Sequence, residues 1–339
     1  MCHPSAAQPA LENATLQPSV LVVILNWNTP SETLAALDSV HKMDYPNYRV
    51  AVIDNGSTDN SLSLLSGITT KTVQLVTSTE NLGYTGGCNL GFDIALRDGI
   101  DFVWLLNSDA VTQPNTLSSL VHLAQSDPHI GLVSPVIASL EDPTRLINAG
   151  GLYRPELPAF EPTKDIELAR KWTSLYPDRI LLLGTALLVR TDLIRTVGPF
   201  DPNFFAYWED TDLSLRSVQA GFLNKVDFNS VVFHSEKLPA TDANLLKPHF
   251  WYYLARNEIR FWKKHKGFFG GLKPILWTYR MQMQLLNRLH TNRQARQAIL
   301  AGLWDGLLNK TGPYHPGLRM PPLVAAAVQF HSRSYPDKN

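Results

Sequence analysis

The chain has 339 residues, 44% of them apolar and 18% charged, which excludes a disordered chain, a collagen-like repeat and a small disulfide scaffold and leaves room for about two domains. Lys+Arg and Asp+Glu are both 30, and the zero net charge argues against a dedicated nucleic-acid binder. The balance is polarised: from Trp251 onward, 14 Lys or Arg stand against three acids, so an acidic body precedes a basic tail.

Residues 1–18 carry Pro4, Pro9 and Pro18 and no basic-then-apolar leader, and read as a disordered lead. The two cysteines, Cys2 and Cys88, build neither a disulfide framework nor a Cys-rich zinc site, and a cytoplasmic location is expected. Val20 to Leu25 is an unbroken β-rich run, the pattern of a strand buried on both faces. A helix follows from Ser31 and stops at Tyr45-Pro46. The alternation then recurs as strand Tyr48 to Ile53, helix Asn60 to Leu65, strand Val73 to Thr77, helix Gly86 to Arg97 and strand Phe102 to Leu106. Repeated βα units predict a doubly wound, mostly parallel sheet flanked by helices.

From Glu141 to Asp178 five prolines interrupt any periodicity, which reads as hairpins and loops over the sheet edge and as a candidate lid. A second block gives strand Leu181 to Arg190, a short helix from Thr191, a helix from about Asp210 to Ala220 and a strand through Val231 to Phe233. Helices alone follow, over Phe250 to Lys264, Leu272 to Leu289 and Arg293 to Leu308. The expected organisation is a nucleotide-binding part at 19–135, an acceptor part at 136–240 and a basic aromatic helical region at 241–339. The longest apolar run, Ile180 to Val189, is far shorter than the ~20 residues of a membrane span.

Sheets of this kind bind ligands at the carboxyl ends of their strands, and here those ends lead into Asn26-Trp27-Asn28, Asp54 to Asp59, Asn81-Leu82-Gly83 and Asn107-Ser108-Asp109. Asn and Asp side chains converging there suit the edges and hydroxyls of a nucleotide, and a nucleoside diphosphate is the ligand expected first. Each residue alone is equally an Asx-turn or a helix cap. Asp109 at the sheet rim and His234 after a later strand could together give two protein ligands to Mg²⁺ or Mn²⁺, diphosphate oxygens completing the shell; a histidine satisfied by backbone is the alternative. Trp208-Glu209-Asp210-Thr211-Asp212 puts three acids at a helix start, where the positive helix terminus alone would favour them. The aromatic run Phe204 to Trp208 before them would wall a pocket and desolvate a general base.

Five motifs taken together, Val22 to Asn28, Val52 to Asp59, Asn81 to Asn89, Leu105 to Asp109 and Phe200 to Leu213, resemble family 2 glycosyltransferases, and within that family the rhamnosyltransferase-like branch. The resemblance covers Ser19 to Glu236. It implies a GT-A fold, an inverting mechanism and a nucleotide-sugar donor, with dTDP-rhamnose expected first, and a glycan or lipid-linked acceptor. It further implies that Asp54 contacts the donor base, that Asn81 to Gly83 lie beside the nucleotide, that Asp109 and His234 hold the metal, and that Asp210 deprotonates the acceptor. Asn107 stands where the family's D-x-D motif usually begins with an acid. A sugar-phosphate nucleotidyltransferase and a non-catalytic glycan-binding protein are the other readings of the same sheet. In the tail, Phe250 to Tyr253, Phe261-Trp262 and Lys263 to Lys266 combine aromatics with cations, which suits an anionic membrane surface and a peripheral position, or else a packed core. Arg256 is expected to reach a donor or acceptor phosphate, and Trp208 and Glu209 to meet the acceptor.

Overall fold

The computed structural model describes residues 17–155, 159–235, 246–289 and 292–316. The lead up to residue 16 and the tail beyond residue 316 lie outside them. The first half alternates β1 (Val20–Asn26), α1 (Pro30–His41), β2 (Tyr48–Asn55), α2 (Ser61–Leu65), β3 (Val73–Ser78), α3 (Gly83–Asp98) and β4 (Phe102–Asn107). These strands pair in parallel in the order β3-β2-β1-β4. Val20 to Ile24 are all buried, because helices cover both faces; each such side chain stabilises the fold by about 1.5–3 kcal/mol relative to exposure.

The chain continues through β5 (Ala110–Thr112), α4 (Thr116–Gln125), β6 (Ile130–Ser139), β7 (Leu146–Asn148), β8 (Gly151–Arg154) and β9 (Ala159–Pro162). Then come α5 (Ile166–Leu175), β10 (Ile180–Leu181), β11 (Ala186–Arg190), α6 (Thr191–Val197), α7 (Glu209–Gln219) and β12 (Leu223–His234). A nine-stranded sheet results, with β11 antiparallel to both β4 and β6, β12 parallel to β6, and β5 and β7 antiparallel at their edges. The expected α/β sheet flanked by helices is present, with parallel pairing among β3, β2, β1 and β4 and again between β6 and β12, and antiparallel pairing where β11, β5 and β7 join. β6 was hidden in the sequence by Gly131 and Pro135. Pro135 is tolerated beside the point where β12 slips register between Asp227 and Val231, so its missing N–H interrupts no regular ladder.

In the stretch Glu141 to Asp178 the expected hairpins are present, whereas the helix within it and its place away from the cleft depart from the expectation of a lid. The stretch forms β7, the β8-β9 hairpin, which β10 extends to a three-stranded sheet, and α5, whose N-cap Asp165 accepts a hydrogen bond from the Leu168 amide, and whose Trp172 is buried. Among the described residues, none of this stretch lines the cleft. The predicted strand Leu181 to Arg190 is also broken, at Leu182 to Thr185, and that break opens onto the cleft.

The C-terminal extension is α8 (Pro248–Arg288), which a break divides into two helical segments, and α9 (Arg293–Leu307), matching the three helices expected there. α8 is interrupted at Gly267, whose φ of 67° and ψ of −178° are not helical. The aromatics expected to face a membrane are mostly core: Trp251, Tyr252, Tyr253, Phe261 and Trp262 are all buried. Tyr153 stacks on Trp262 at 6.4 Å, which ties the small sheet to α8. Buried Asp212 on α7 meets Arg216 at 2.8 Å, Lys264 at 2.9 Å and His265 at 2.9 Å. Burial pushes the Asp212 carboxyl up, but the hydrogen bond from His265 and the charges of Arg216 and Lys264 outweigh it and hold the group at about 2.

Two outcomes are expected. Asp212→Asn removes the buried carboxylate that Arg216, Lys264 and His265 share and should lower the urea-derived unfolding free energy by about 1.5–3 kcal/mol. Glu258, on the inner side of α8, is pushed from 4.5 up to about 7 by burial. Its folded pKa lies above its unfolded one, so its contribution is complete below the ordinary carboxylate range and is lost as pH rises through about 7. That loss is of order 3 kcal/mol, and Glu258→Gln should flatten the corresponding fall in melting temperature.

Candidate functional site

The carboxyl ends of β1, β2 and β4 open onto one cleft of about 1180 Å³. Its support begins below the surface. Asn26 and Asp54 are fully buried and hydrogen-bonded to each other, Asn26 Nδ2 donating to Asp54 Oδ1 at 2.7 Å, while Thr33 Oγ1 donates to Asn26 Oδ1 at 2.8 Å. Asn28 has φ of 56°, and its Oδ1 accepts from the Thr58 amide at 2.8 Å. These three predicted donor-site residues join the first two strand-end loops, and their side chains do not line the cleft. Trp27, 47% exposed, does line it.

The third loop is held by Asn55, which the sequence reading passed over although it follows Asp54 in the same motif. Asn55 Nδ2 donates to the Gly83 carbonyl at 3.0 Å and its Oδ1 accepts from the Leu82 amide at 3.1 Å. Asn81 Oδ1 accepts from the Gly83 amide at 2.8 Å, so its side chain turns the loop as much as it faces the cleft. Gly83 has φ of +73°, and a Cβ there would sit 2.3 Å from the Phe205 carbonyl oxygen. Only glycine combines that dihedral with that approach.

Asn107, Ser108 and Asp109 line the cleft together with His234. Asp109 Oδ1 lies 3.1 Å from His234 Nε2. An octahedral cation with bonds of about 2.1 Å places neighbouring ligands about 3 Å apart, so the pair fits two adjacent positions on Mg²⁺ or Mn²⁺. Among the described residues no group of three or more His, Cys, Asp or Glu is placed to hold a metal. Tyr84, in the Asn-Leu-Gly-Tyr motif, donates to Asn107 Oδ1 at 3.2 Å and to the Gly184 carbonyl at 2.9 Å.

Gly184 lies in the break between β10 and β11, and its amide donates to Asp210 Oδ2 at 2.8 Å. Asp210 Oδ1 accepts from the Thr211 amide at 2.6 Å. Burial raises the Asp210 carboxyl, and those hydrogen bonds partly offset the rise. Glu209 is 5% exposed, and its Oε2 has no hydrogen-bond partner among the described residues. Burial, then the Asp210 charge, push it well above the usual carboxylate range. Of the two, Glu209 takes the proton first, because Asp210 has the better-solvated anion. Both line the cleft.

The chain reaches them through a segment in which Phe205, Tyr207 and Trp208 have φ of 65°, 67° and 75°, conformations that cost non-glycine residues about 1–3 kcal/mol each. Asn257 on α8, fully buried, directs its amide at the carbonyls of Phe204, Ala206 and Tyr207 at 2.9, 2.7 and 2.8 Å. Arg256 beside it donates to the carbonyls of Phe204 at 2.6 Å and Gly312 at 2.7 Å. Contrary to the expectation of a phosphate contact, Arg256 is fully buried and its guanidinium is spent on backbone carbonyls. Trp208 likewise turns away from the cleft, packing on Phe261 at 5.1 Å between ring centres. Nothing in the sequence marked Asn257, since its role needs a partner loop about 50 positions earlier.

The helical extension closes the far end of the cleft with Lys247, His249, Tyr253 and Tyr314. Burial, then the Lys247 charge, keep the His249 imidazole below its ordinary value, hence neutral near pH 7.

Residues 21–179 match Glycosyl transferase family 2. The galactofuranosyltransferase GlfT1 of Mycobacterium tuberculosis is 27% identical over 209 residues, 60% of this chain and 66% of that protein, so the match spans slightly under two thirds of this relative. The N-acetylglucosaminyl-diphospho-decaprenol L-rhamnosyltransferase of Mycobacterium tuberculosis is 25% identical over 280 residues, 74% of this chain and 85% of the other. Among solved structures, the mannosyltransferase PcManGT of Pyrobaculum calidifontis, in complex with GDP-Man and Mn²⁺, superposes with a TM-score of 0.54 at 19% identity over 94% of this chain and 81% of its own. GalNAc-T7 with UDP, GalNAc and Mn²⁺ does so with 0.59 at 15% identity over 84% and 55%. The likeness of fold is to GT-A glycosyltransferases, and the likeness of sequence, over the stretch that carries the donor-side loops, is to glycosyl transferase family 2.

Proposed function

We propose that the chain is an inverting glycosyltransferase that moves a sugar from a nucleotide donor to a hydroxyl of a glycan or lipid-linked acceptor in cell-surface glycan assembly. The observation that carries it is the meeting, in one cleft, of the Asp109–His234 pair with the Glu209–Asp210 pair. The cleft's 1180 Å³ exceeds the roughly 300–1,000 Å³ of an ordinary small-molecule pocket, consistent with a donor and an acceptor bound together.

In this reading Trp27, Asn81, Gly83, Asn107 and Ser108 border the nucleotide, while Asn26, Asn28 and Asp54 hold the loops that form its floor. Asp109 and His234 would hold Mg²⁺ or Mn²⁺, whose charge offsets that of the departing diphosphate when bound. Asp210 takes the proton from the acceptor hydroxyl; the freed oxygen forms a bond to the anomeric carbon, and the bond to the nucleoside diphosphate breaks on the opposite face. The Gly184 and Thr211 amides keep the Asp210 carboxylate aimed, and neutral Glu209 offers its proton as a donor to the acceptor.

dTDP-rhamnose is the donor we place first, supported by the motif resemblance and by the name of the rhamnosyltransferase relative. The GlfT1 relatives support a galactofuranosyl donor as a second reading. A thermal-shift panel of dTDP-rhamnose, UDP-sugars including UDP-galactofuranose, and GDP-mannose, each with and without Mn²⁺ or Mg²⁺, tests both, because a ligand of the folded state raises the melting temperature. One donor should give a metal-enhanced shift; no shift with any donor would defeat the proposal.

Asp210→Asn should lower turnover by about 10²–10⁴-fold while the donor-induced shift remains. His234→Ala should remove the metal enhancement of that shift. Since the Asp210 carboxyl is raised, the wild-type rate should fall with decreasing pH at a higher pH than an ordinary aspartate would give. A pH–rate profile of kcat measures this.

A further inference from the structure

The part of α8 beyond the Gly267 break carries a face that the cleft does not use. Two adjacent rows at i, i+4 spacing make it up, Leu272-Leu276-Arg280 and Lys273-Trp277-Met281. Leu272, Leu276, Trp277 and Met281 are 56%, 59%, 43% and 45% exposed, and Lys273 and Arg280 are exposed among them. The opposite side of the same helix, with Thr278, Leu286 and Leu289, is buried, the two leucines against the extension. The helix therefore has its inward apolar stripe and a second apolar stripe turned to solvent, which an ordinary surface helix lacks.

The charge around that stripe has one sign. No Asp or Glu occurs between Glu258 and Asp305, against nine Lys or Arg. A second copy of the chain is a poor occupant, because two such faces would set Lys273 and Arg280 against their like with no carboxylate on the face to pair them. No helix among the described residues is long and apolar enough to cross a membrane, so the face is suited to lying on a bilayer.

We propose that this face docks the protein on an anionic lipid surface. The leucines and Met281 enter the acyl boundary, Trp277 lies at the level of the headgroups, and Lys273 and Arg280 extend to the lipid phosphates. The inference deepens the lipid-linked-acceptor reading and gives that acceptor a physical location, but the docking chemistry stands on residues separate from the cleft. The first part of α8 grips the loop leading to Asp210 through Asn257, and the segment that meets the lipid joins it through the break at Gly267.

The test is flotation of the full-length protein with vesicles of phosphatidylcholine alone and of phosphatidylcholine mixed with phosphatidylglycerol, at low and high salt. Recovery with the anionic vesicles at low salt is expected, reduced by salt and absent with phosphatidylcholine alone. Lys273→Ala/Arg280→Ala should bind them about 30-fold more weakly, and Leu276→Ser/Trp277→Ser should also lose binding. Both variants should keep the wild-type melting temperature and donor-induced shift. Equal recovery from both vesicle types, or unchanged binding by both variants, would overturn the proposal. So would a wild-type dimer in size-exclusion chromatography that both variants convert to monomer. Vesicle binding that persists while no donor binds would defeat the catalytic reading and leave this one standing.

Discussion

The arrangement of the cleft depends on one side-chain amide. Asn257 has two N–H groups and shares them among three carbonyls of the segment before α7, a segment that carries three non-glycine residues at positive φ. Left to itself such a backbone would relax, since each of those conformations is disfavoured. Arg256 adds its guanidinium to the same segment and to Gly312. The basic aromatic region is thus part of the architecture of the cleft: its first helix pins the loop, and the Asp212 cluster pins the helix that follows the loop.

That arrangement also accounts for the division of labour between neighbouring acids. Glu209, Asp210 and Asp212 lie within four positions, yet their environments differ sharply. Asp212 has Arg216, Lys264 and the His265 hydrogen bond and is held ionised. Asp210 has amide donors, and Glu209 has burial with little compensation. Helix geometry sends the three side chains to different surroundings. A sequence reading that explains them all by the helix terminus misses this difference.

The legible part of the molecule was the part with short-range rules. The apolar run Val20 to Leu25, the turn residues after each strand and the periodicity of α1 and α3 identify a βα sheet, and the polar strand ends identify its ligand-binding rim. Trp27, Asn107, Asp109, Glu209, Asp210 and His234 were legible as residues of one cleft because motifs at strand ends are brought together by topology. What was not legible depended on distant partners. Pro135 conceals a strand that tolerates it only because β12 slips register alongside. Arg256 resembles a phosphate ligand until the carbonyls of Phe204 and Gly312 are seen to occupy it. The aromatics of α8 have the composition of an interfacial belt, and burial reassigns most of them to the core, leaving the outward face to residues further along the helix.

The contact between Gly83 and Phe205 has a consequence for how such a cleft can change over evolutionary time. The loop beside the proposed nucleotide subsite touches the backbone of the segment leading to the acids, with the Thr85 amide donating to the same Phe205 carbonyl at 3.1 Å. There is no spare volume between them, since even one methyl group at Gly83 would overlap that oxygen. The two halves of the cleft cannot drift independently at this point. A lineage acquiring a new specificity has to alter the walls further out, at positions such as Trp27 or Tyr314, while the seam between Gly83 and Phe205 is inherited as a unit.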